Sequence, residues 1–383
     1  MRSRPRIGAM IYADYNATTP VDSRVKAAME PFLDEIWGNP SSVHSAGRRA
    51  RRAVEEAREQ VALLLGASEP EEVVFTSGGT EADAIALYSA RASARRVVAV
   101  SSVEHPAVSE PARALEREGF ERRVLPVLPS GEIDLGAAER WIDDRVALVS
   151  VMAANNEYGG IFPVAILAGR ARNAGALFHT DAVAAAGKID VGAASGADLI
   201  SVSAHKIGGP KGTGALWVRR GVELPALFPG GGQERRRRGG TENVAGIAGF
   251  GEAARLCREE SAHERERVAG LRDAFEEALG REWPAVRIWG KAALRVGNTS
   301  AAAFPGRSGE GIAIALDLDG IAVSVGSACS SGSVAPSAAI LALGASSEEA
   351  RSTVRFSFGP GNDLAQVEAV VSALRGILRT DRS

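Results

Sequence analysis

The segment Ser201-Val202-Ser203-Ala204-His205-Lys206-Ile207-Gly208-Gly209-Pro210-Lys211-Gly212 closes an apolar, β-branched run on a lysine and then turns through glycine and proline. A buried strand ending this way places a partly desolvated amine at the carboxyl edge of a sheet, where open α/β sheets bind their ligands. Such an amine can close a Schiff base with a carbonyl compound. Taken alone, the segment also reads as a strand-end lysine that snorkels to water. Its surroundings in the chain decide between the two.

Working outward, further short apolar runs lie at 73–76, 97–101, 147–152, 176–180, 199–202 and 215–218. They alternate with helix-like segments at 81–90, 110–118 and 164–173, which predicts a mainly parallel sheet covered on both faces. Ahead of them, Ala50, Val54, Ala57, Val61 and Leu64 recur at helical spacing until Gly66 stops the pattern. Past Gly249 the texture changes to a long charged helix over 255–279, strands at 298–304, 321–325 and 353–358, and a closing helix over 363–379. The expected organisation is a large α/β domain over residues 17–250 and a smaller α+β domain made of 1–16 and 251–383.

A net charge of -2 with 24% charged residues gives no field that would draw the whole protein to nucleic acid or a membrane, although Arg235-Arg236-Arg237-Arg238 is a local basic run. Cys257 and Cys329 stand far apart, which suggests neither a disulfide framework nor a metal site and fits a reducing cytoplasm. The polar Tyr12-Ala13-Asp14-Tyr15-Asn16 follows the arginines of the first ten residues where a signal peptide would be apolar, and no run reaches membrane-spanning length. Neither export nor a membrane span is expected.

Several strand ends carry residues suited to one chemistry. The run 73–76 breaks at Ser77-Gly78-Gly79-Thr80 before a helix, an arrangement that cradles phosphate, although glycine-rich turns also simply connect elements. Asp181, in Phe178-His179-Thr180-Asp181-Ala182, could keep the ring nitrogen of pyridoxal phosphate (PLP) protonated and so make the ring an electron sink; it could equally be a helix cap. His105, in Val103-Glu104-His105-Pro106-Ala107, could stack on the ring and move protons, or be a structural loop histidine. Asn155-Asn156-Glu157 offers amide donors or a plain turn. Arg355, in Thr353-Val354-Arg355-Phe356-Ser357, suits either a carboxylate clamp or a structural ion pair. Cys329 lies in the small-residue run Gly326-Ser327-Ala328-Cys329-Ser330-Ser331-Gly332-Ser333, where nearby positive charge would make its thiolate a nucleophile; a loop cysteine can also be incidental. Lys, Asp, His and Asn supplied by four strand ends would converge at one sheet edge and together favour a site.

On these residues the chain resembles the cysteine desulfurases of the class V aminotransferase group. The resemblance runs nearly end to end, through Tyr12-Ala13-Asp14-Tyr15-Asn16-Ala17-Thr18-Thr19-Pro20, Gly38-Asn39-Pro40-Ser41-Ser42, Phe75-Thr76-Ser77-Gly78-Gly79-Thr80-Glu81, Ser203-Ala204-His205-Lys206 and Gly239-Gly240-Thr241-Glu242-Asn243, besides the motifs already quoted. It implies a fold type I PLP-dependent transferase with a mainly parallel seven-stranded sheet, turning L-cysteine into L-alanine. It further implies that Lys206 holds PLP, that His105 stacks and shuttles protons, and that Asp181 pairs with the ring nitrogen. Gly79, Thr80, Ser203 and His205 would hold the phosphate with Thr241 of a second subunit, which makes a homodimer the expected unit. Asn156, at the cofactor, and Arg355 would hold the substrate carboxylate. Cys329 would take the sulfur as a persulfide, and segment 326–333 resembles the long-loop class, which passes sulfur to an acceptor such as an iron-sulfur scaffold or a thiolation enzyme. No metal and no direct nucleic-acid partner is implied.

One departure touches the cofactor: Ala184 stands where the family usually carries a glutamine, three residues after the aspartate. A selenocysteine lyase or an aminotransferase on the same scaffold would need no Cys329 nucleophile, and a non-catalytic subunit would need none of these groups intact.

Overall fold

The computed structural model describes residues 10–326 and 335–380. Strand β1 (Ile11–Tyr12) leads into helices α1 (Ser23–Met29) and α2 (Ser45–Leu65). An alternating run follows: β2 (Val73–Thr76), α3 (Gly79–Tyr88), β3 (Val97–Ser101), α4 (Pro106–Glu116), β4 (Glu121–Leu125), α5 (Leu135–Trp141), β5 (Val146–Ser150), α6 (Val164–Asn173), β6 (Leu177–Asp181), β7 (Leu199–Ser203) and β8 (Gly214–Val218). After α7 (Val244–Glu282) come β9 (Arg287–Ile288), β10 (Thr299–Ala303), α8 (Gly309–Leu318), β11 (Ile321–Ala322), α9 (Ala338–Ala342), α10 (Ser347–Arg351), β12 (Thr353–Ser357) and α11 (Leu364–Thr380).

Seven strands form the main sheet in the order β2-β8-β7-β6-β5-β3-β4. Only β8 runs antiparallel to its neighbours. The β-branched runs are buried on both faces, and their alternation feeds two apolar layers. Val73, Phe75, Val97 and Ala99 pack with α2, α6 and the start of α7, while Val74, Val98 and Val100 pack with α3 and α4. Strand β4 was not expected from the sequence. Its Glu121-Arg122-Arg123 start hides the strand pattern, and it lies at the sheet edge, where charge blunts further pairing.

A second core gathers the antiparallel sheet β12-β10-β9, α8, α11 and the later turns of α7, with Phe275 ringed by Phe356 and Phe358 at centroid distances of 4.6 and 5.5 Å. Helix α7 is 39 residues long and passes through position 251 unbroken, so the expected 250/251 boundary falls inside a helix. The glycine at that position serves packing. A Cβ on Gly251 would lie 2.6 Å from Ala57 Cα, so glycine lets α7 close on α2.

Candidate active site

Neighbouring parallel strands β3, β5, β6 and β7 end at the same edge of the sheet, which brings His105, Asn156, Asp181 and Lys206 to one rim. Lys206 ends a 3-10 turn that follows β7 directly. Its amine donates to the carbonyl oxygen of Asn16 and, at 3.0 Å, to that of Ala17. The N-terminal motif reaches this turn because it is stitched to it. Thr19 N and Oγ1 both donate to the His205 carbonyl at 2.9 Å, Gly208 N donates to Thr19 Oγ1 at 2.8 Å, and His205 Nδ1 lies 3.1 Å from Thr18 Oγ1. Burial and the Lys206 charge push the His205 ring down to about 4, so it stands neutral at neutral pH.

Asp181, the last residue of β6, is 5% exposed and accepts the Val183 N–H at 2.8 Å. Burial raises its carboxyl, while that hydrogen bond and the His105 and Lys206 charges oppose the rise. Two more buried carboxyls stand behind it. Glu104 accepts from Ser101 Oγ at 2.5 Å and Met152 N at 2.9 Å, and burial pushes it up to about 8. Burial and the Asp181 charge hold Asp83 well above the usual carboxylate range. Of the three carboxyls, only Asp181 has nearby charges, those of His105 and Lys206, that act to lower it. Beside them the His179 ring sits between Ser150 Oγ at 2.8 Å and Ser201 Oγ at 2.9 Å, pushed by burial down to about 3.

His105 caps α4: its Nδ1 accepts the Ala107 N–H at 3.1 Å, so the neutral ring carries its proton on Nε2. Burial favours that neutral form. Gly79 and Thr80 open α3, and a Cβ on Gly79 would come within 2.7 Å of Val183 Cγ2 and 3.7 Å of Ser203 Cβ. The start of α3, Ser203 and the turn after Asp181 are therefore in close contact, with helix N–H groups free for an anion. A helix start that tolerates no side chain at Gly79, a buried carboxylate and a strand-end amine together fit PLP: Gly79 and Thr80 could hold its phosphate, Asp181 its ring nitrogen and Lys206 its aldehyde carbon.

Arg355 reaches this rim from the second core. Its Nη2 donates to Asp14 Oδ1 at 2.8 Å and its Nη1 to the Asn156 carbonyl at 3.0 Å, while Nε is buried without a partner. Of the two roles that the sequence left open for Arg355, the ion pair is present, to Asp14, and the same guanidinium also reaches the Asn156 turn. Asn155 is structural: its Oδ1 accepts from Glu157 N and Tyr158 N, closing the turn that presents Asn156. Thr241 is exposed at the end of a strap over 229–243, which the buried Arg58–Glu234 pair (2.8 Å) fastens to the sheet. The arginine run belongs to the same strap: Arg235 pairs with Glu71, Arg237 donates to the Glu71 carbonyl and Arg238 pairs with Glu81. Cys329 lies outside the described residues. Cys257, on α7, is half-buried, and burial pushes its thiol up to about 11.

Asn16, Lys188, Asp83 and His179 carry no individual role in the sequence reading. Asn16 stood inside a quoted motif, but only the fold shows its buried side chain accepting from Lys188 Nζ (3.0 Å) and Asn298 Nδ2 (2.9 Å) and donating to Thr299 Oγ1 (2.8 Å) and the Asn156 carbonyl (3.0 Å). Among the described residues no group of His, Cys, Asp and Glu could hold a metal, and no helix is long and apolar enough to cross a membrane.

Comparison with known proteins agrees with this geometry. The aminotransferase class-V family model matches residues 11–370. A cysteine desulfurase of Bradyrhizobium diazoefficiens is 45% identical over 378 residues, 98% of this chain and 96% of that protein. A solved NifS-like protein superposes with a TM-score of 0.91 at 34% identity, covering 97% of this chain and all of its own. The structure described as SspA in complex with cysteine superposes with a TM-score of 0.80 at 33% identity, covering 91% and 99%. The chain belongs to the class V aminotransferase family, among its cysteine desulfurases.

Proposed function

We infer that the protein is a PLP-dependent cysteine desulfurase that converts L-cysteine to L-alanine and leaves the sulfur as a persulfide on Cys329. The observation that carries this reading is the meeting of Lys206, Asp181 and His105 on one sheet edge with an arginine, Arg355, brought in from the second core. When bound, PLP supplies an electron sink. Lys206 anchors it through its amine, and Asp181 keeps its ring nitrogen protonated. Arg355 and Asn156 orient the substrate carboxylate, and His105 moves a proton at Nε2. Cys329 Sγ, as thiolate, attacks the substrate sulfur: an S–S bond forms, the C–S bond breaks, and the electron pair stays with the carbon fragment. That fragment takes up a proton and leaves as alanine, so no outside oxidant is required.

The agreement with named cysteine desulfurases favours this reading over a selenocysteine lyase or a simple aminotransferase. A homodimer, with Thr241 of the exposed strap completing the neighbour's phosphate site, is part of the proposal. So are a long-loop role for segment 326–333, a protein acceptor for the sulfur and a cytoplasmic location. Size-exclusion chromatography with light scattering tests the dimer. Loss of PLP retention in Thr241→Ala, complemented by mixing with subunits defective only at Lys206, tests the shared site.

A further inference from the structure

Lys188 lies seven positions after Asp181, beyond a coiled turn closed by Lys188 N to Ala185 O at 2.9 Å. Gly187, at φ 76°, ends that turn; a Cβ there would meet Cys257 Sγ at 2.9 Å, so the turn is pinned against α7. Beyond it the Lys188 amine donates to Asn16 Oδ1 at 3.0 Å. Asn16 is the junction of the site. Its own carbonyl accepts the Lys206 amine, and its Nδ2 donates to the Asn156 carbonyl at 3.0 Å, which also accepts Arg355 Nη1 at 3.0 Å. Asn298, Thr299 and Ser357 tie Asn16 to the second core. Three hydrogen bonds therefore join Lys188 to the arginine that meets the substrate carboxylate.

We propose that Lys188 is a positioning residue for substrate: through Asn16 it fixes the Asn156 carbonyl and Arg355. Burial, and after it the like charges of Lys206 and Arg355, push the Lys188 amine down to about 7.

This inference rests on the desulfurase reading, and the experiment separates the two. Wild-type holoenzyme, Lys188→Met and Lys188→Gln are compared by KM and kcat for L-cysteine, by the equilibrium constant for L-alanine read from the cofactor absorbance, and by melting temperature. Lys188→Met is expected to raise KM and weaken alanine binding by about tenfold, with a smaller change in kcat. Its melting temperature should hold or rise, because a buried amine has been removed. Lys188→Gln keeps an N–H donor for Asn16 and should recover part of the loss. Unchanged KM and alanine binding in Lys188→Met would overturn the proposal, as would a melting temperature that falls with no effect on binding. If Lys188→Met does not fold, Lys188→Gln decides by the same two binding readouts: weakening of at least about threefold supports the role and wild-type values reject it. A wild type that releases no alanine would instead defeat the desulfurase reading.

Discussion

Arg355 and Asn156 belong to different cores, yet the guanidinium Nη1 of one donates to the carbonyl oxygen of the other at 3.0 Å. Arg355 enters from β12 and Asn156 from the turn after β5, so the contact fixes the two cores against each other at the substrate's expected position. A lysine cannot serve Asp14 and Asn156 at once, because a point charge lacks the planar fork. Arg355→Lys is expected to raise KM for L-cysteine by about tenfold, the equivalent of one charge-assisted hydrogen bond of ~1.5 kcal/mol. Steady-state kinetics beside a melting curve check it. An unchanged KM with a lowered melting temperature would reduce Arg355 to the Asp14 ion pair.

Lys206→Ala should abolish the visible absorbance band that the bound cofactor gives through its lysine linkage. The chain's other lysines are Lys26, Lys188, Lys211 and Lys291, and of these Lys188 shares Asn16 with Lys206. An undiminished band that borohydride fixes onto the Lys188 peptide would end the assignment of Lys206.

The strap that carries Thr241 holds Glu234, Arg235 and Arg236 at φ of 46°, 54° and 65°, a left-handed run unfavourable for these residues. The Arg58–Glu234 pair, 4% and 2% exposed, with Phe75 N also donating to Glu234 at 3.0 Å, keeps it in place. Arg58→Met leaves a buried carboxylate unpaired and should cost about 3–5 kcal/mol in denaturant unfolding. A loss below about 1 kcal/mol would mean that Glu234 finds water or another partner.

His179 sets a pH window. Its folded-state value of about 3 lies below the ~6.5 of the unfolded chain, so between these the unfolded state binds a proton that the folded state refuses. Stability therefore falls as pH drops from ~6.5 toward ~3, by up to about 1.4 kcal/mol per pH unit from this group. His179→Gln should be less stable near pH 7 yet show a flatter decline on acidification. Unfolding free energies at a few pH values between about 7 and about 5 decide it; parallel slopes would show that the ring is already solvated.

Much of this was legible in the sequence, for identifiable reasons. The runs at 73–76 and 97–101 match β2 and β3, and 164–173 matches α6, because buried β-branched runs and apolar helical stripes declare themselves locally. Strand β4 did not, since its charges suit an edge and not a core. Lys206, Asp181 and His105 were readable as strand-end residues, each in a sequence pattern of its own. Lys188 and Asn16 were not. A hydrogen bond between residues 172 positions apart has no periodicity to betray it, and Lys188 becomes unusual only once the fold buries it near Lys206 and Arg355. The arginine run 235–238 reads in the sequence only as a local basic run; Glu71 and Glu81, remote in sequence, take up Arg235, Arg237 and Arg238.

The central claim is that sulfur leaves cysteine for one thiol. Holoenzyme is mixed with L-cysteine in amounts near stoichiometric, quenched with an alkylating reagent, and analysed for free alanine and, by peptide mass spectrometry, for the position of the added sulfur. The account predicts alanine and persulfide in equal amounts, all of the persulfide on Cys329, and neither product from Cys329→Ser, which should still bind PLP and cysteine. Persulfide on Cys257, or alanine released at the wild-type rate by Cys329→Ser, would contradict it.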